Sequence, residues 1–294
     1  MPDDPTTPAS PHGSTGHEDV VVEPGYLASP GDADEALEEF LDEHPGWSLH
    51  RPGAGEQPIA VSECLTGRVL LDHEPGYSRI RWTVAAYDSP IGDRAWRADF
   101  DTHTPHEVAL AVAEAFSYAQ RYTGVAWEEA HWGLVALRTA LVAQMREADW
   151  QDVSTHEQMA YRSPDGTAGL IRQDRGAYHT DPDGDDELST VILWGQPPGG
   201  QRWQATFSTE APTRMIAAAL DHLTDPRPAL RRRNDLAATE HAAITIRPAP
   251  VGLRARLQAA LARTALPAER RDTAAQAVTT VQAGHVAPVA RRTI

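Results

Sequence analysis

The sequence predicts an α+β protein that contains two tandem copies of one domain, each with the order α-β-β-β-α. Three observations predict this class. One segment recurs along the chain, each copy has strand patterns joined by a Pro/Gly turn, and an amphipathic helix follows each hairpin. We expect each copy to form an antiparallel three-stranded meander with its helices on one face. A partly helical C-terminal tail is expected after the second copy.

The repeat relates residues 82–116 to residues 189–223 at a constant offset of 107, with ten identities in 35 positions. Such self-similarity indicates an internal duplication. The shared positions include Pro90/Pro197, Gly92/Gly199, Trp96/Trp203, Phe100/Phe207 and Pro105/Pro212, with an aromatic residue also kept at Tyr87/Trp194.

Each copy has a local pattern that predicts its elements. Residues 83–87 and 190–194 are rich in β-forming residues and predict strands that lead into the Pro/Gly turns. In the strand after the first turn, Trp96, Ala98 and Phe100 alternate with polar residues, which predicts one buried face. The repeated Trp and Phe could instead form a ligand or base-stacking platform, but we favour the core.

Helices are predicted at both ends of each copy. The run Thr104-Pro105-His106-Glu107 predicts a capping box with Pro at the first helical position. Residues 34–43 and 134–150 predict the earlier helix of each copy. The expected organisation is a disordered leader over residues 1–19, copies over residues 20–122 and 134–228, a linker over residues 123–133, and an Arg-rich tail over residues 229–294.

Composition excludes several kinds of chemistry. The 294 residues include 42 acidic and 26 basic side chains, with a net charge of −16, and every basic residue is Arg. Without Lys, Schiff-base chemistry and a P-loop are excluded. Cys64 is the single cysteine, so one chain has no internal disulfide and no Cys-based metal cluster. No signal peptide or membrane span is recognisable, and we expect a cytoplasmic protein.

Charge is unevenly distributed along the chain. Residues 1–225 hold 14 Arg and 38 acids, whereas residues 226–294 hold 12 Arg and 4 acids. The tail is therefore a candidate for binding a polyanion such as nucleic acid, or for folding onto the acidic body, which we favour. The candidate interaction residues in it are Arg231, Arg232, Arg233, Arg254, Arg256, Arg270 and Arg271.

Two acidic clusters are candidates for metal sites. Asp99, Asp101 and His103 alternate along one strand and could hold a divalent cation, although a solvated sheet face explains them as well. Residues 181–187 resemble a calcium loop but place Gly fourth and Ile192 twelfth, so we favour a solvated hairpin loop. No motif for a nucleophile or a dinucleotide occurs, and we expect no catalytic residue, no metal and no cofactor.

Several of these motifs together resemble a known family. The run from Tyr26 to Asp32, the Pro-Gly-Trp at 45–47 and the Trp-x-Ala-x-Phe strand before a Pro helix start resemble the SPDY-domain family, over about residues 20–228. The run at residues 163–166, Ser-Pro-Asp-Gly, is similar to the motif that names it. The resemblance implies a tandem actinobacterial domain of unknown function, sometimes associated with mobile elements, and brings no catalytic residue.

The α-β-β-β-α order also resembles secretion-chaperone-like domains, which are acidic and bind proteins; this is an analogy of fold. We therefore expect a non-catalytic protein-interaction module that binds a protein partner through its acidic body or its sheet faces. The alternative is a nucleic-acid-associated accessory protein that uses the Arg-rich tail. An enzyme built on Asp99, Asp101 and His103 is the third possibility.

Overall fold

Four helices and thirteen strands are present in the part of the chain that the computed structural model describes, which is residues 18–51, 53, 57–123, 133–180, 186–197, 199–225, 227–236 and 244–250. The helices are α1 (Ala33–Glu43), α2 (His106–Thr123), α3 (Gly133–Glu147) and α4 (Thr213–Thr224). The strands are β1 (Asp19–Glu23), β2 (Trp47–His50), β3 (Ile59–Ser62), β4 (Gly67–Leu71), β5 (Ile80–Tyr87), β6 (Arg94–Asp101), β7 (Gln151–Asp152), β8 (Gln158–Arg162), β9 (Ala168–Thr180), β10 (Asp186–Gly195), β11 (Trp203–Ser208), β12 (Ala229–Arg232) and β13 (Thr245–Pro248).

Most of the strands belong to one antiparallel sheet of ten, in the order β2-β3-β4-β5-β6-β11-β10-β9-β8-β7. The first five strands come from the first copy, and the last five come from the second copy in mirrored order. The α+β class is confirmed. The predicted pair of three-stranded meanders differs from this structure, because each copy adds two short strands at its outer edge and the copies share one sheet. Strands as short as the two-residue β7 leave no periodic pattern in a sequence.

The two copies meet where β6 pairs with β11, which we call the seam. Asp99 lies opposite Thr206, its own counterpart in the repeat, while Ala98 faces Phe207 and Phe100 faces Ala205. The pairing is therefore symmetric about Asp99 and Thr206, like the interface of a two-fold dimer. The Phe100 and Phe207 rings meet edge to face across this axis, with centroids 6.1 Å apart.

Side chains extend the seam where the main-chain pairing stops. The Arg97 amide donates to Ser208 Oγ at 3.0 Å, and the Gln204 amide donates to Asp101 Oδ2 at 2.8 Å. The two donors, Arg97 and Gln204, are counterparts in the repeat, and so are the two acceptors, Asp101 and Ser208. These hydrogen bonds therefore follow the same pseudo-symmetry as the strand pairing. Each bond satisfies a backbone N–H near the middle of the sheet, where leaving it without an acceptor would cost stability.

The helices form one layer against one face of the sheet, with α2 and α4 in contact at its centre and α1 and α3 beside them. Trp96, Phe100, Trp203 and Phe207 point into this interface and are at most 1% exposed. The repeated aromatic residues therefore belong to the core and do not form an exposed platform. Pro105 and Pro212 stand immediately before α2 and α4, respectively, one position earlier than predicted for Pro105.

The two hairpins differ in length, which the constant offset of 107 conceals. Trp96 pairs with Ala86, whereas Trp203 pairs with Gly195, so the second loop is shorter by two residues. Trp194 consequently occupies the position of Ala85, and the predicted match of Tyr87 with Trp194 is wrong. Two residues lost in a loop leave the alternation of a strand intact, so the pattern alone could not reveal the shift.

Replacing Asp101 by Asn should weaken the seam. Oδ1 accepts from the His103 amide and the Thr104 hydroxyl, and Oδ2 accepts from the Gln204 amide. An amide side chain would turn one NH₂ group towards a donor, at a cost of about 1–3 kcal/mol. Denaturant unfolding should show this loss for D101N and none for Glu210→Gln, an exposed carboxylate. Equal stability of the two variants would contradict the role of Asp101.

Candidate functional site

The first candidate interaction residue, Arg231, lies inside the protein. Its side chain is 1% exposed and binds the Glu107 carboxylate in bidentate fashion, with N–O distances of 2.6 and 2.7 Å. The Arg231 Nε also donates to the Ser29 carbonyl at 2.8 Å, and Nη1 donates to the Leu230 carbonyl. Arg231 thereby ties β12 and the segment before α1 to the start of α2.

Glu107 serves this ion pair and not the predicted capping box, because the Thr104 hydroxyl donates to Asp101 and the Glu107 carboxylate faces Arg231. Burial alone would raise the pKa of Glu107. The positive charges of Arg231 and of protonated His106 outweigh burial and lower this pKa to about 2.

The neighbouring candidates also contact acidic residues of the body. Arg232 lies 3.7 Å from Asp32 and 3.5 Å from Glu35, and Arg233 lies 2.7 Å from Glu18. Strands β12 and β13 both pair with β1 in a second, three-stranded sheet, so these two segments of the predicted tail fold onto the body. The other candidates, Arg254, Arg256, Arg270 and Arg271, lie outside the described residues, as do residues 1–17, 124–132 and 181–185.

The candidate metal ligands Asp99, Asp101 and His103 do not form a metal site in the described structure. Asp99 accepts from Arg97 Nε at 2.6 Å and from the Thr83 hydroxyl at 2.7 Å, whereas Asp101 is used at the seam. Among the described residues, no group of three or more His, Cys, Asp or Glu side chains is arranged to hold a metal ion. These carboxylates organise the sheet and its turn.

A concentration of carboxylates distinguishes the helix layer of the first copy. Helix α1 has six acidic residues among eleven and no basic residue. Its start is fixed by Asp32, which accepts from the Glu35 amide, and its apolar side is buried. Two acids lie in its last turn, where negative charge opposes the helix dipole. We call the carboxylates of Glu38, Glu39, Asp42 and Glu43, together with Glu114 of α2, the acidic edge.

The acidic edge is electrostatically strained. Desolvation and the nearby Glu39 and Asp42 raise the pKa of Glu43. Desolvation, Glu43 and Glu39 raise the pKa of Glu114 to about 7, although Arg227 acts in the opposite direction. One oxygen of Glu43, Oε1, is buried and has no hydrogen-bond donor among the described residues. A buried acceptor of this kind costs stability until a donor reaches it.

A cleft of about 540 Å³ adjoins the C-terminal end of α1. Its lining includes Pro45, Trp47, Glu63, Cys64 and Gln120. The Trp47 indole is fixed by a hydrogen bond to Ser117 Oγ at 3.0 Å. The cleft thus lies next to the acidic edge and has a rigid aromatic wall.

Cys64 is a polar contact point at this cleft. Desolvation of its thiol would raise its pKa, but hydrogen bonds with Ser62 and Thr66 outweigh that effect and lower it. The Gln120 amide also lies 3.4 Å from Cys64 Sγ. Ser62 and Thr66 are each two residues from Cys64 in the sequence, whereas Gln120 comes from α2, 56 residues away, and only the fold brings it to the thiol.

Replacing Glu114 by Gln should make stability less dependent on pH. The folded-state pKa of about 7 lies above the ordinary 4.5, so the stability contributed by this group is complete below pH 4.5 and is lost as pH rises through 7. Gln cannot ionise. The melting temperature of E114Q relative to the native chain should therefore be higher near pH 8 than near pH 5. The control is Glu157→Gln, which removes a carboxylate from the second copy, outside the acidic edge. A pH-independent difference for E114Q would contradict this assignment.

Among the helices that the structure describes, none combines the length and apolar character needed to cross a membrane.

No curated protein and no solved structure matches the chain. A family match is found in each copy, one from the start of β4 into α2 and the other from the end of β8 to the start of β12. The resemblance predicted from the motifs is thus confirmed: residues 66–120 and 162–229 each match the SPDY domain, a domain of unknown function (DUF317).

Proposed function

We propose that the protein is a non-catalytic interaction module that binds a basic segment of a protein partner at the acidic edge. The observation that carries this proposal is the Glu43 carboxylate. It has a buried oxygen with no donor among the described residues, and its pKa is raised by desolvation and by the nearby Glu39 and Asp42. A partner's Arg or Lys would supply both the missing donor and the missing positive charge.

The stability of the fold alone does not account for the acidic edge. Acids in the last turn of α1 oppose the helix dipole, and the carboxylates on α1 and α2 repel one another across the helix interface. Clustered charge of one sign accelerates association with an oppositely charged partner, since it attracts that partner over a distance. The adjoining cleft offers a place for one side chain of the partner.

The basic composition of the tail requires a binding experiment to treat the tail as a competing ligand. Residues 251–294 contain seven Arg and two acids, so they are themselves a basic segment. The partner could therefore compete with the chain's own tail for the same carboxylates. An experiment on the acidic edge has to separate these two occupants.

Binding to nucleic acid is the second candidate function, and the observation that favours it is the Arg surplus of the tail. Arg231, Arg232 and Arg233 contact acidic residues of the body, so this candidate depends on the arginines beyond residue 250. Residues 1–225 hold 38 acids against 14 Arg and would repel a phosphate backbone. We therefore rank it below a basic protein partner.

A fluorescent oligo-arginine peptide tests the acidic edge in the full chain. The variant Glu38→Gln, Glu39→Gln, Asp42→Asn and Glu43→Gln should bind it about tenfold more weakly, because exposed ion pairs contribute about 0.3–1 kcal/mol each. The control variant changes four exposed carboxylates elsewhere, Asp88, Asp93, Glu157 and Glu210. Equal weakening by both variants would show only a general charge effect and would refute the proposed site.

Two further measurements distinguish the competing occupants and ligands. Replacing Arg254, Arg256, Arg270 and Arg271 by Gln should leave peptide affinity unchanged if the edge is open to a partner. A rise in affinity would identify the tail as the occupant. Salt-sensitive binding of labelled duplex DNA that this variant abolishes would support the second candidate function.

A further inference from the structure

The opposite face of the sheet has a small depression in the first copy, with a volume of about 200 Å³. Arg81, Arg94 and Arg97 line it together with Thr83 and Tyr87. Sites for drug-sized ligands usually enclose about 300–1,000 Å³, so this depression fits a smaller group. Its position on the side away from the helices separates it from the acidic edge.

The charges around the depression favour an anion. Besides the three arginines in its lining, Arg68 lies over the Tyr87 ring with its guanidinium carbon 3.9 Å from the centroid. The lining itself contains three arginines and one carboxylate, Asp72. Asp99 binds Arg97, and Asp72 accepts from the Glu74 amide. Positive charge therefore exceeds negative charge at this point of a strongly acidic protein.

Arg81 lies at a β-bulge on the rim of the depression. The register of β5 against β6 shifts between Ile80 and Trp82, which leaves Arg81 as the extra residue. Bulges commonly redirect a side chain at functional sites. The Nε atom of Arg81 is buried, and no acceptor for it exists among the described residues. This buried donor is what an anionic ligand would satisfy.

The second copy serves as an internal comparison. The same bulge recurs in β10 between Ser189 and Val191, but its extra residue is Thr190. At the position of Arg97 in the first copy, the second copy has Gln204. At the position of Ala85 in the first copy, the second copy has Trp194. Trp194 is 7% exposed and lies beneath Arg202. The bulge is thus common to both copies, whereas the arginines of the depression belong to the first copy alone.

We propose that the depression lined by Arg81, Arg94 and Arg97 is a binding site for a phosphoryl group. Planar guanidinium groups match the oxygens of phosphate, because each can donate two parallel hydrogen bonds. A doubly charged phosphate monoester fits the excess of positive charge better than a singly charged phosphodiester does. The site is independent of the acidic edge, so it stands or falls separately from the proposed function.

Calorimetric titration of the full chain at low ionic strength tests this site. The probes are inorganic phosphate, phenyl phosphate as a monoester and dimethyl phosphate as a diester. Arg81→Gln should lower the affinity for phosphate by about tenfold, the loss expected for one charge-assisted hydrogen bond. The matched control is Arg162→Gln, which removes an exposed Arg from the same sheet face in the second copy and should change affinity less than about twofold.

The outcomes are distinct. Tighter binding of phenyl phosphate than of dimethyl phosphate supports a monoester ligand, whereas equal binding supports a phosphate backbone as the source of the phosphoryl group. Arg94→Gln should weaken binding as well and replaces Arg81→Gln if that variant does not fold. Absence of binding by all three probes, or the same affinity in the native chain and both depression variants, would overturn the proposal.

Discussion

The pairing of β6 with β11 is the constraint on which the rest of the structure depends. It joins ten strands into one sheet, and its symmetry about Asp99 and Thr206 brings α2 and α4 together on the helix face. Each copy alone would leave a long strand with unpaired backbone groups at an edge, which proteins avoid. The exchanged bonds of Asp101 and Ser208 extend this pairing beyond the main-chain ladder.

Within this symmetric frame, the two copies present different surfaces. Helix α1 has six acidic residues and no basic residue, whereas α3 has one acidic residue, Glu147, and two basic residues, Arg138 and Arg146. The depression with three arginines in the first copy has Trp194 at the corresponding place in the second. Both proposals combine clustered charge of one sign with a buried polar atom that has no partner among the described residues, Glu43 Oε1 in one case and Arg81 Nε in the other.

The sequence predicted what depends on local pattern and could not predict what depends on distant contacts. The duplication, the hairpins and the aromatic core followed from the repeat and from the alternation around residues such as Trp96 and Trp203, whereas the similarity to the SPDY domain followed from its motifs. The shared sheet did not, because a strand pattern does not specify which edge it pairs with. We expected Arg231 at an interaction surface because it belongs to a run of three arginines. Its partner Glu107 lies 124 residues earlier, and the sequence gives no sign that the two residues form an ion pair inside the protein. The bulge at Arg81 also depends on pairing with β6.

The most direct test of this account is whether the two copies unfold together. Differential scanning calorimetry of the full chain compares the total enthalpy of unfolding with the value obtained from the sharpness of the transition. A seam that joins both copies into one sheet predicts a single transition for which the ratio of the two enthalpies is about one. Two resolved transitions, each with about half of the enthalpy, would show that the copies fold independently and would contradict the central role of the seam.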